Sequence, residues 1–151
     1  MGKREELSAS EERAWNEFHD LIARFTPEEL ELPGANADGW SAKDVMWHIG
    51  CWIAEAAQQL ECIRLGTYID REWDDTDEIN SKMLEEGRRQ DLSTVRAELA
   101  SARTRALQEW AALEELTPDA EEWFSEIGPA HYDDHSAELT AWADELEGRR
   151  G

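Results

Sequence analysis

The chain has 151 residues, 40% of them hydrophobic, which is enough for the core of one domain of ordinary size. It carries 15 Lys and Arg against 36 Asp and Glu, a formal net charge of −21 at pH 7. Nucleic acids and anionic membranes bind clusters of Lys and Arg, and the sequence has none, which argues against both kinds of partner. We therefore predict a single domain over residues 1–151 whose partner is a small molecule, a cation or a second copy of the chain.

Cys51 and Cys62 are the only cysteines. On one helix about 16 Å would separate them, which is too far for a disulfide, so we expect free thiols and a reducing compartment. Residues 1–6 lack the apolar segment of a signal peptide, and no apolar run reaches the about 18 residues of a membrane span. The expected location is the cytoplasm.

Hydrophobic residues follow a helical period along the chain, and no stretch alternates as a strand would. The first helix is predicted to begin at the capping box of residues 8–11 and to end before Pro27, followed by a short turn over residues 28–32. Ser41 is predicted to cap the second helix, which ends at Gly66.

A third helical segment is predicted to begin near residues 75–76 and to restart at Ser93. Thr117 begins a short helical piece, and residues 128–129 open a last helix that runs to about Leu146. The restarted helix carries an apolar stripe made of Val95, Leu99, Ala102, Ala106, Trp110 and Leu113. The pattern predicts an all-α protein with four main helices, short extra helical turns, and a long connection over residues 66–75 that can cross one end of a bundle.

Two histidines of the last helix share its apolar face. With a rotation of about 100° per residue, His135 falls near 40° from His131, on the stripe that holds Leu139, Trp142 and Leu146. Imidazoles one turn apart on a core-facing stripe can converge on one ion.

His48 lies at the edge of the apolar face of the second helix, where Glu55 and Gln59 form a polar seam beside the core. His19 lies off the centre of the first helix's stripe and is interpreted as a surface or boundary residue. The second helix therefore offers one inward imidazole.

Three inward nitrogens from two helices match a three-ligand site for Zn²⁺ or Ni²⁺ with an open position, and we predict His48, His131 and His135 as metal ligands. The alternative is that the His-x-x-x-His spacing arose by chance and that the rings are core residues. Buried imidazoles without partners cost roughly 1–3 kcal/mol each, so two on one apolar stripe favour the metal.

Other candidates are weaker. Glu55 and Glu138 could support or replace a ligand, although carboxylates are abundant in this chain. Cys51 is more simply a small buried hydrophobe. Most of the eight tryptophans are expected in the core or at a dimer surface, with Trp47 or Trp73 as candidates for lining a pocket.

Three segments carry a family resemblance: GWSAKDVMWHIGCW at residues 39–52, DEIN at 77–80 and HYDDH at 131–135. In this order they resemble the DinB-like superfamily, over nearly the whole chain. More narrowly, the chain is similar to the metal-binding N-terminal domain of mycothiol-dependent maleylpyruvate isomerase.

The resemblance implies a four-helix bundle connected up-down-down-up, a divalent metal held by His48, His131 and His135, often a homodimer, and a low-molecular-weight thiol such as mycothiol as a second cofactor. The isomerase branch commonly has Glu where this chain has His131, whereas the thiol-transferase and hydrolase-like relatives have His. This difference weighs against the isomerase assignment, and the substrate is not carried over from the isomerase.

Two functions follow as hypotheses. The first is a metal-dependent thiol S-transferase or isomerase acting on small electrophiles, although no catalytic base is identifiable. The second is a non-catalytic metal-binding or small-ligand-binding homodimer. A purely structural dimer without metal is a third interpretation.

Overall fold

The computed structural model describes residues 2–70, 72–73 and 75–151. Seven helices lie in those ranges: α1 Lys3–Ile22, α2 Pro27–Leu30, α3 Ala42–Leu65, α4 Thr76–Gly87, α5 Leu92–Ala112, α6 Pro118–Ile127 and α7 Pro129–Arg150. The only β-type pairing in the described part of the chain is one isolated bridge between Pro33 and Ser41. The all-α prediction is confirmed.

The helices α3 and α5 run parallel. Gly50 on α3 lies against Leu99 on α5, so that a Cβ built on Gly50 would stand 3.4 Å from the Leu99 Cα. Further along both helices, the Arg64 Nε donates to a Glu109 carboxylate oxygen at 2.9 Å. Because both partners advance together, the connection between these helices must return along the bundle, and α4 lies within it. Arg71 and Asp74 of the predicted connection lie outside the described residues.

The helices α1 and α7 also run parallel. The Tyr132 hydroxyl donates to Glu11 at 3.2 Å. About 13 to 15 residues further along both segments, Arg24, just past the end of α1, donates to Glu147 at 2.9 Å. The partners again advance together.

The helix α5 runs antiparallel to α1. Arg4 donates to the Trp110 carbonyl oxygen at 2.7 Å, whereas Arg103, earlier in α5, donates to Glu11, later in α1, at 2.7 Å. With α3 parallel to α5 and α7 parallel to α1, the four long helices are connected up-down-down-up, as the resemblance implied.

The main hydrophobic core lies between the four long helices. Its largest fully buried side chains are Phe18, Val45, Ile49, Val95, Tyr132 and Leu139. A smaller cluster closes the end where α6 packs on α3, and there Trp110 stacks on Phe124 with ring centroids 3.9 Å apart. The predicted stripe of α5 is confirmed: Val95, Leu99, Ala106, Trp110 and Leu113 are buried, and Ala102 is half-buried against the core.

The predicted start of the first helix is wrong. The helix α1 begins at Lys3 and passes through residues 8–11 without a break. Ser8 does not cap a helix but accepts a hydrogen bond from the Trp110 Nε1 at 3.0 Å. Glu11 is buried beside Arg103 on α5. The capping-box pattern is therefore used for contacts between helices.

Two other boundaries differ from the prediction. Asp91, not Ser93, caps α5 by accepting from the Thr94 N–H at 2.8 Å. The helix α7 continues through Gly148 to Arg150. The Arg150 guanidinium donates to both carboxylate oxygens of Glu29, at 2.7 and 2.9 Å, and so ties the last turn to α2.

Several sequence signals behave as predicted. Ser41 and Thr117 accept hydrogen bonds as N-caps, and Gly66 ends α3 in the left-handed conformation, with φ of 75°. Cys51 and Cys62 are free. Within the described residues, no helix has both the length and the apolar character that crossing a membrane requires.

Candidate metal centre

The three predicted ligands meet between α3 and α7. His48 lies in the second turn of α3, whose start is fixed by the Ser41 capping box. His131 and His135 follow Pro129, which occupies the first turn of α7 and suits a position where the N–H has no helical partner. The four-residue spacing places both rings on the face of α7 turned to α3.

The three imidazoles approach through the same ring atom. The Nε2 of His131 lies 3.1 Å from the Nε2 of His48 and 3.2 Å from the Nε2 of His135. One ligand nitrogen from each residue can be chosen so that all three lie within 4.8 Å of one another. The ring centroids are separated by 4.8 to 5.1 Å. This is the only cluster of three potential metal ligands found in the described residues.

The spacing of these nitrogens fits a metal ion. Zinc bonds to histidine nitrogen are about 2.0–2.1 Å long, and tetrahedral angles then separate two ligand nitrogens by about 3.3 Å. The observed 3.1 and 3.2 Å are close to that value. A donor set of imidazole nitrogens also suits Zn²⁺ and Ni²⁺ better than Ca²⁺ or Mg²⁺, which take oxygen ligands.

The hydrogen bonding of the cluster is incomplete within the protein. The buried Nδ1 atoms of His48 and His131 have no hydrogen-bond partner. Each neutral ring carries a single N–H, so three nitrogens facing one another cannot all be satisfied by mutual hydrogen bonds. A cation at the centre would engage all three Nε2 lone pairs and leave the protons on Nδ1.

Glu138 fixes the ring of His135. Its carboxylate lies 2.7 Å from the His135 Nδ1, three residues apart on α7. A carboxylate at Nδ1 holds the proton on that atom and directs the lone pair of Nε2 toward the cluster, which is the usual second contact of a metal-bound histidine. The prediction that Glu138 could support a ligand therefore has a geometric basis.

Burial keeps two of the rings uncharged. Desolvation, followed by the nearby His135, lowers the pKa of His48 to about 4. The same causes, with His48 added, lower the pKa of His131 to about 3. Both imidazoles are neutral near pH 7, which is the state that binds a metal.

The remaining candidates lie away from the cluster. Glu55 accepts a hydrogen bond from the Gln59 side chain at 2.8 Å, so the two residues pair with each other. Burial raises the pKa of the Cys51 thiol to about 11, which makes it unreactive near neutral pH. His19 is exposed, as predicted, with its ring 5.7 Å from that of Trp15.

Of the two predicted pocket residues, Trp73 lines a cavity and Trp47 does not. Trp47 packs on Gly87, where a Cβ would stand 2.3 Å from the indole. Three further aromatic residues of the same cavity were missed: Trp52, Tyr68 and Trp123. The spacing of Trp52, one turn beyond His48, is the signal that could have indicated it.

Two parallel helix pairs, α1 with α7 and α3 with α5, run antiparallel to each other and bring three imidazoles together. The protein is therefore a helical bundle with a candidate metal centre. The DinB superfamily model matches residues 12–146, and the chain belongs to that superfamily. No curated protein matches the chain.

Among solved structures, the chain is similar to the crystal structure of an uncharacterised protein from Escherichia coli UTI89. The two are 14% identical with a TM-score of 0.80, and the match covers 95% of this chain and 94% of the other. This similarity supports the fold.

Proposed function

We propose that this DinB superfamily member binds one divalent transition metal, Zn²⁺ or Ni²⁺, through the Nε2 atoms of His48, His131 and His135. The observation that carries the proposal is the approach of three imidazole nitrogens, with Nε2···Nε2 distances of 3.1 and 3.2 Å from His131 to the other two rings. At most one of these two Nε2 contacts can be a hydrogen bond, because each Nε2 has either one proton or one lone pair, whereas a shared cation would engage all three atoms.

We further propose a metal-dependent thiol S-transferase or isomerase activity on small electrophiles, with a low-molecular-weight thiol such as mycothiol as the second cofactor. A divalent cation bound at three histidines has positions left for a thiol or water, whose pKa it lowers. The family resemblance supports the thiol, and the side chain of His135, which is 17% exposed, gives the cluster an opening to solvent.

The chain's own residues would orient the site rather than transfer protons. Glu138 holds the ring of His135 through its Nδ1, and the Trp40 ring meets the His48 ring edge-on at a centroid distance of 5.2 Å. Burial excludes water from His48 and His131 and keeps them neutral. The net charge of −21 favours accumulation of cations around the protein.

Elemental analysis of untagged protein tests the metal site. Wild-type protein loaded with Zn²⁺ or Ni²⁺ and then gel-filtered should retain about one ion per chain, because three histidines and a solvent ligand complete a tetrahedral site. His131→Ala should retain almost none. The matched control is His19→Ala, which removes an exposed imidazole and should leave the metal content unchanged. Full retention by His131→Ala would refute the site.

A thiol-consumption assay tests the activity. Metal-loaded protein with mycothiol or another small thiol and a model electrophile should turn over, and the rate should vanish in His135→Ala while His19→Ala retains it. A wild-type rate in His135→Ala would separate the activity from the three histidines.

A non-catalytic metal-binding homodimer is the second candidate. One observation favours it. Among the described residues, Glu138 is the carboxylate hydrogen-bonded to the cluster, and it contacts the Nδ1 of His135. It therefore does not face the position where a substrate or solvent ligand would bind, and no catalytic base is evident in the described part of the chain. This candidate predicts stoichiometric metal and a dimer by sedimentation, with no turnover of any thiol–electrophile pair.

A further inference from the structure

A cavity of about 320 Å³ opens beside the histidine cluster. It lies between α3, α6 and the stretch that leads into α4. Its wall includes Trp52, one turn beyond His48 on α3, and Ile127, one turn before His131. None of the three histidines lines it, so it is a separate space about one helical turn away. Its volume is at the lower end of the range for small-molecule sites.

Aromatic rings form much of the wall of this cavity: Trp52, Tyr68, Trp73 and Trp123. Trp73 meets Trp52 and Trp123 edge-on, with centroid distances of 5.7 and 6.0 Å. The Trp123 Nε1 donates to the Tyr68 hydroxyl at 3.1 Å, which joins the rings of α6 and the connecting stretch. The three indoles thus pack edge-on against one another in a row, and each contributes to the cavity wall.

A hydrogen bond to α4 fixes the position of Trp52. Its Nε1 donates to the Asn80 side-chain oxygen at 2.8 Å, so the indole is tied to α4. The aromatic wall is therefore held in place by hydrogen bonds to two different parts of the chain, and it does not need a ligand to form.

The charges around the cavity all have one sign among the described lining residues. Asp70, Glu122 and Glu126 line it, and no Lys or Arg is among the described residues that do. In a partly enclosed space with aromatic walls, carboxylates create a negative potential that is less screened than on an open surface. An anionic ligand would be repelled.

We propose that this cavity binds a small organic cation, such as a quaternary ammonium group. Indole faces attract cations more strongly than other aromatic side chains do, and several rings around one space are the usual way in which proteins recognise quaternary ammonium groups. The three carboxylates add attraction at the rim, and methylated nitrogen loses less hydration than a primary amine on entering an aromatic site. The proposal does not depend on metal binding, because no histidine of the cluster lines the cavity.

An NMR titration of the full chain with choline tests the proposal, with 3,3-dimethylbutan-1-ol as the neutral isostere and NaCl at equal ionic strength as the salt control. The chain has eight indole N–H signals. Those of Trp52, Trp73 and Trp123 should shift and saturate with choline, while Trp142 stays unchanged. The isostere should bind about tenfold more weakly or worse, the cation–π contribution in a desolvated site.

A pair of double variants tests the carboxylates. The substitutions Glu122→Gln and Glu126→Gln together should weaken choline binding about fivefold, because they remove two of the three charges at the rim. Glu17→Gln with Asp20→Asn removes the same charge from exposed positions on α1 and should leave the affinity unchanged.

Several results would overturn the proposal: equal binding of the neutral isostere, unchanged affinity in the Glu122/Glu126 variant, or shifts spread over all the indoles. Circular dichroism shows that each variant is folded. Titrating both metal-free and Zn²⁺-loaded protein keeps this result separate from the proposed metal site, since choline binding is expected in both.

Discussion

Neighbouring residues of α7 enter two polar clusters with opposite chemistry. Tyr132 joins Glu11 on α1 and Arg103 on α5, and the Arg103 guanidinium donates to both Glu11 oxygens, at 2.7 and 2.9 Å. His131 instead faces His48 and His135. One cluster combines an acid, a base and a hydroxyl, and the other combines three like groups.

The acid–base cluster is complete within the protein. Arg103 also lies over the Trp15 ring, with its guanidinium carbon 4.7 Å from the centroid, so its flat face is covered. Burial and the Glu11 carboxylate raise the pKa of the Tyr132 hydroxyl, which keeps it a donor. In the histidine cluster, by contrast, two buried Nδ1 atoms have no partner. The complementary groups satisfy one another, whereas at most one of the two Nε2 contacts among the histidines can be a hydrogen bond.

The largest expected effect is on the complete cluster. Arg103→Met would leave the Glu11 carboxylate buried without its cation and should lower the free energy of unfolding by about 3 kcal/mol. Urea denaturation measures this, and Arg96→Met on the exposed face of α5 serves as the control. Metal content should not change. A loss below about 1 kcal/mol would mean that the two clusters do not differ as described.

The histidine cluster should respond in the opposite way. In metal-free protein, His131→Leu removes an unpartnered Nδ1 and should leave stability equal or higher. With Zn²⁺ at about 100 times its Kd, wild-type protein should gain about 2.7 kcal/mol and the variant nothing. Thermal unfolding with and without chelator measures both, and His19→Leu is the control. A large loss in the metal-free variant would show that the cluster stabilises the fold without a cation.

Lowering the pH should make the stabilities of metal-free wild-type protein and His131→Leu differ. The pKa of His131 is lowered to about 3 in the folded chain, against an ordinary value of about 6.5, so the unfolded chain binds the proton first as the pH falls. Metal-free wild-type protein therefore loses stability below about pH 6.5. At pH 5, His131 lowers the free energy of unfolding by about 2 kcal/mol, because pH 5 lies 1.5 units below the ordinary pKa and each unit is worth about 1.36 kcal/mol.

Urea denaturation of metal-free wild type and His131→Leu at pH 8 and pH 5 measures this difference. The change between the two pH values should favour the variant by about 2 kcal/mol. Equal changes in both proteins would show that His131 is not held in its neutral form by the fold.

The smallest effect concerns the contact outside the cluster. Glu138→Gln removes the charge at the His135 Nδ1 and should weaken Zn²⁺ binding about tenfold, or about 1.4 kcal/mol. Competition with a chromogenic chelator measures the affinity, and Glu145→Gln on the same helix is the control. An unchanged affinity would show that Glu138 does not contribute to metal binding.

The sequence predicted the helices where caps and apolar spacing agree, as for α3 between Ser41 and Gly66. It failed at ends that distant contacts decide. The helix α1 extends back to Lys3, with Ser8 bonded to Trp110 from α5. The helix α7 passes Gly148, with its last turn tied to α2 by Arg150. Those partners are far away in the sequence and leave no local signal.

The sequence predicted which three histidines come together but not how deeply they are buried. The helical wheel put His131 and His135 at the centre of the core face, yet both are only half-buried, and Tyr132 between them is 1% exposed. This part of α7 has two contact faces, one against α1 through Tyr132 and Phe18 and one against α3 through the histidines. A helical wheel with one apolar stripe does not represent a helix that packs against two neighbouring helices on different faces.

The parallel course of α3 and α5 has a consequence for how such proteins can diversify. The segment that connects two parallel helices has to run back along the side of the bundle. Here that segment supplies Tyr68 and Trp73 to the cavity wall. The imidazoles sit on bundle helices whose packing constrains them. Changes of length or composition in the returning stretch would therefore alter the cavity wall while the geometry of the histidine cluster stays as it is.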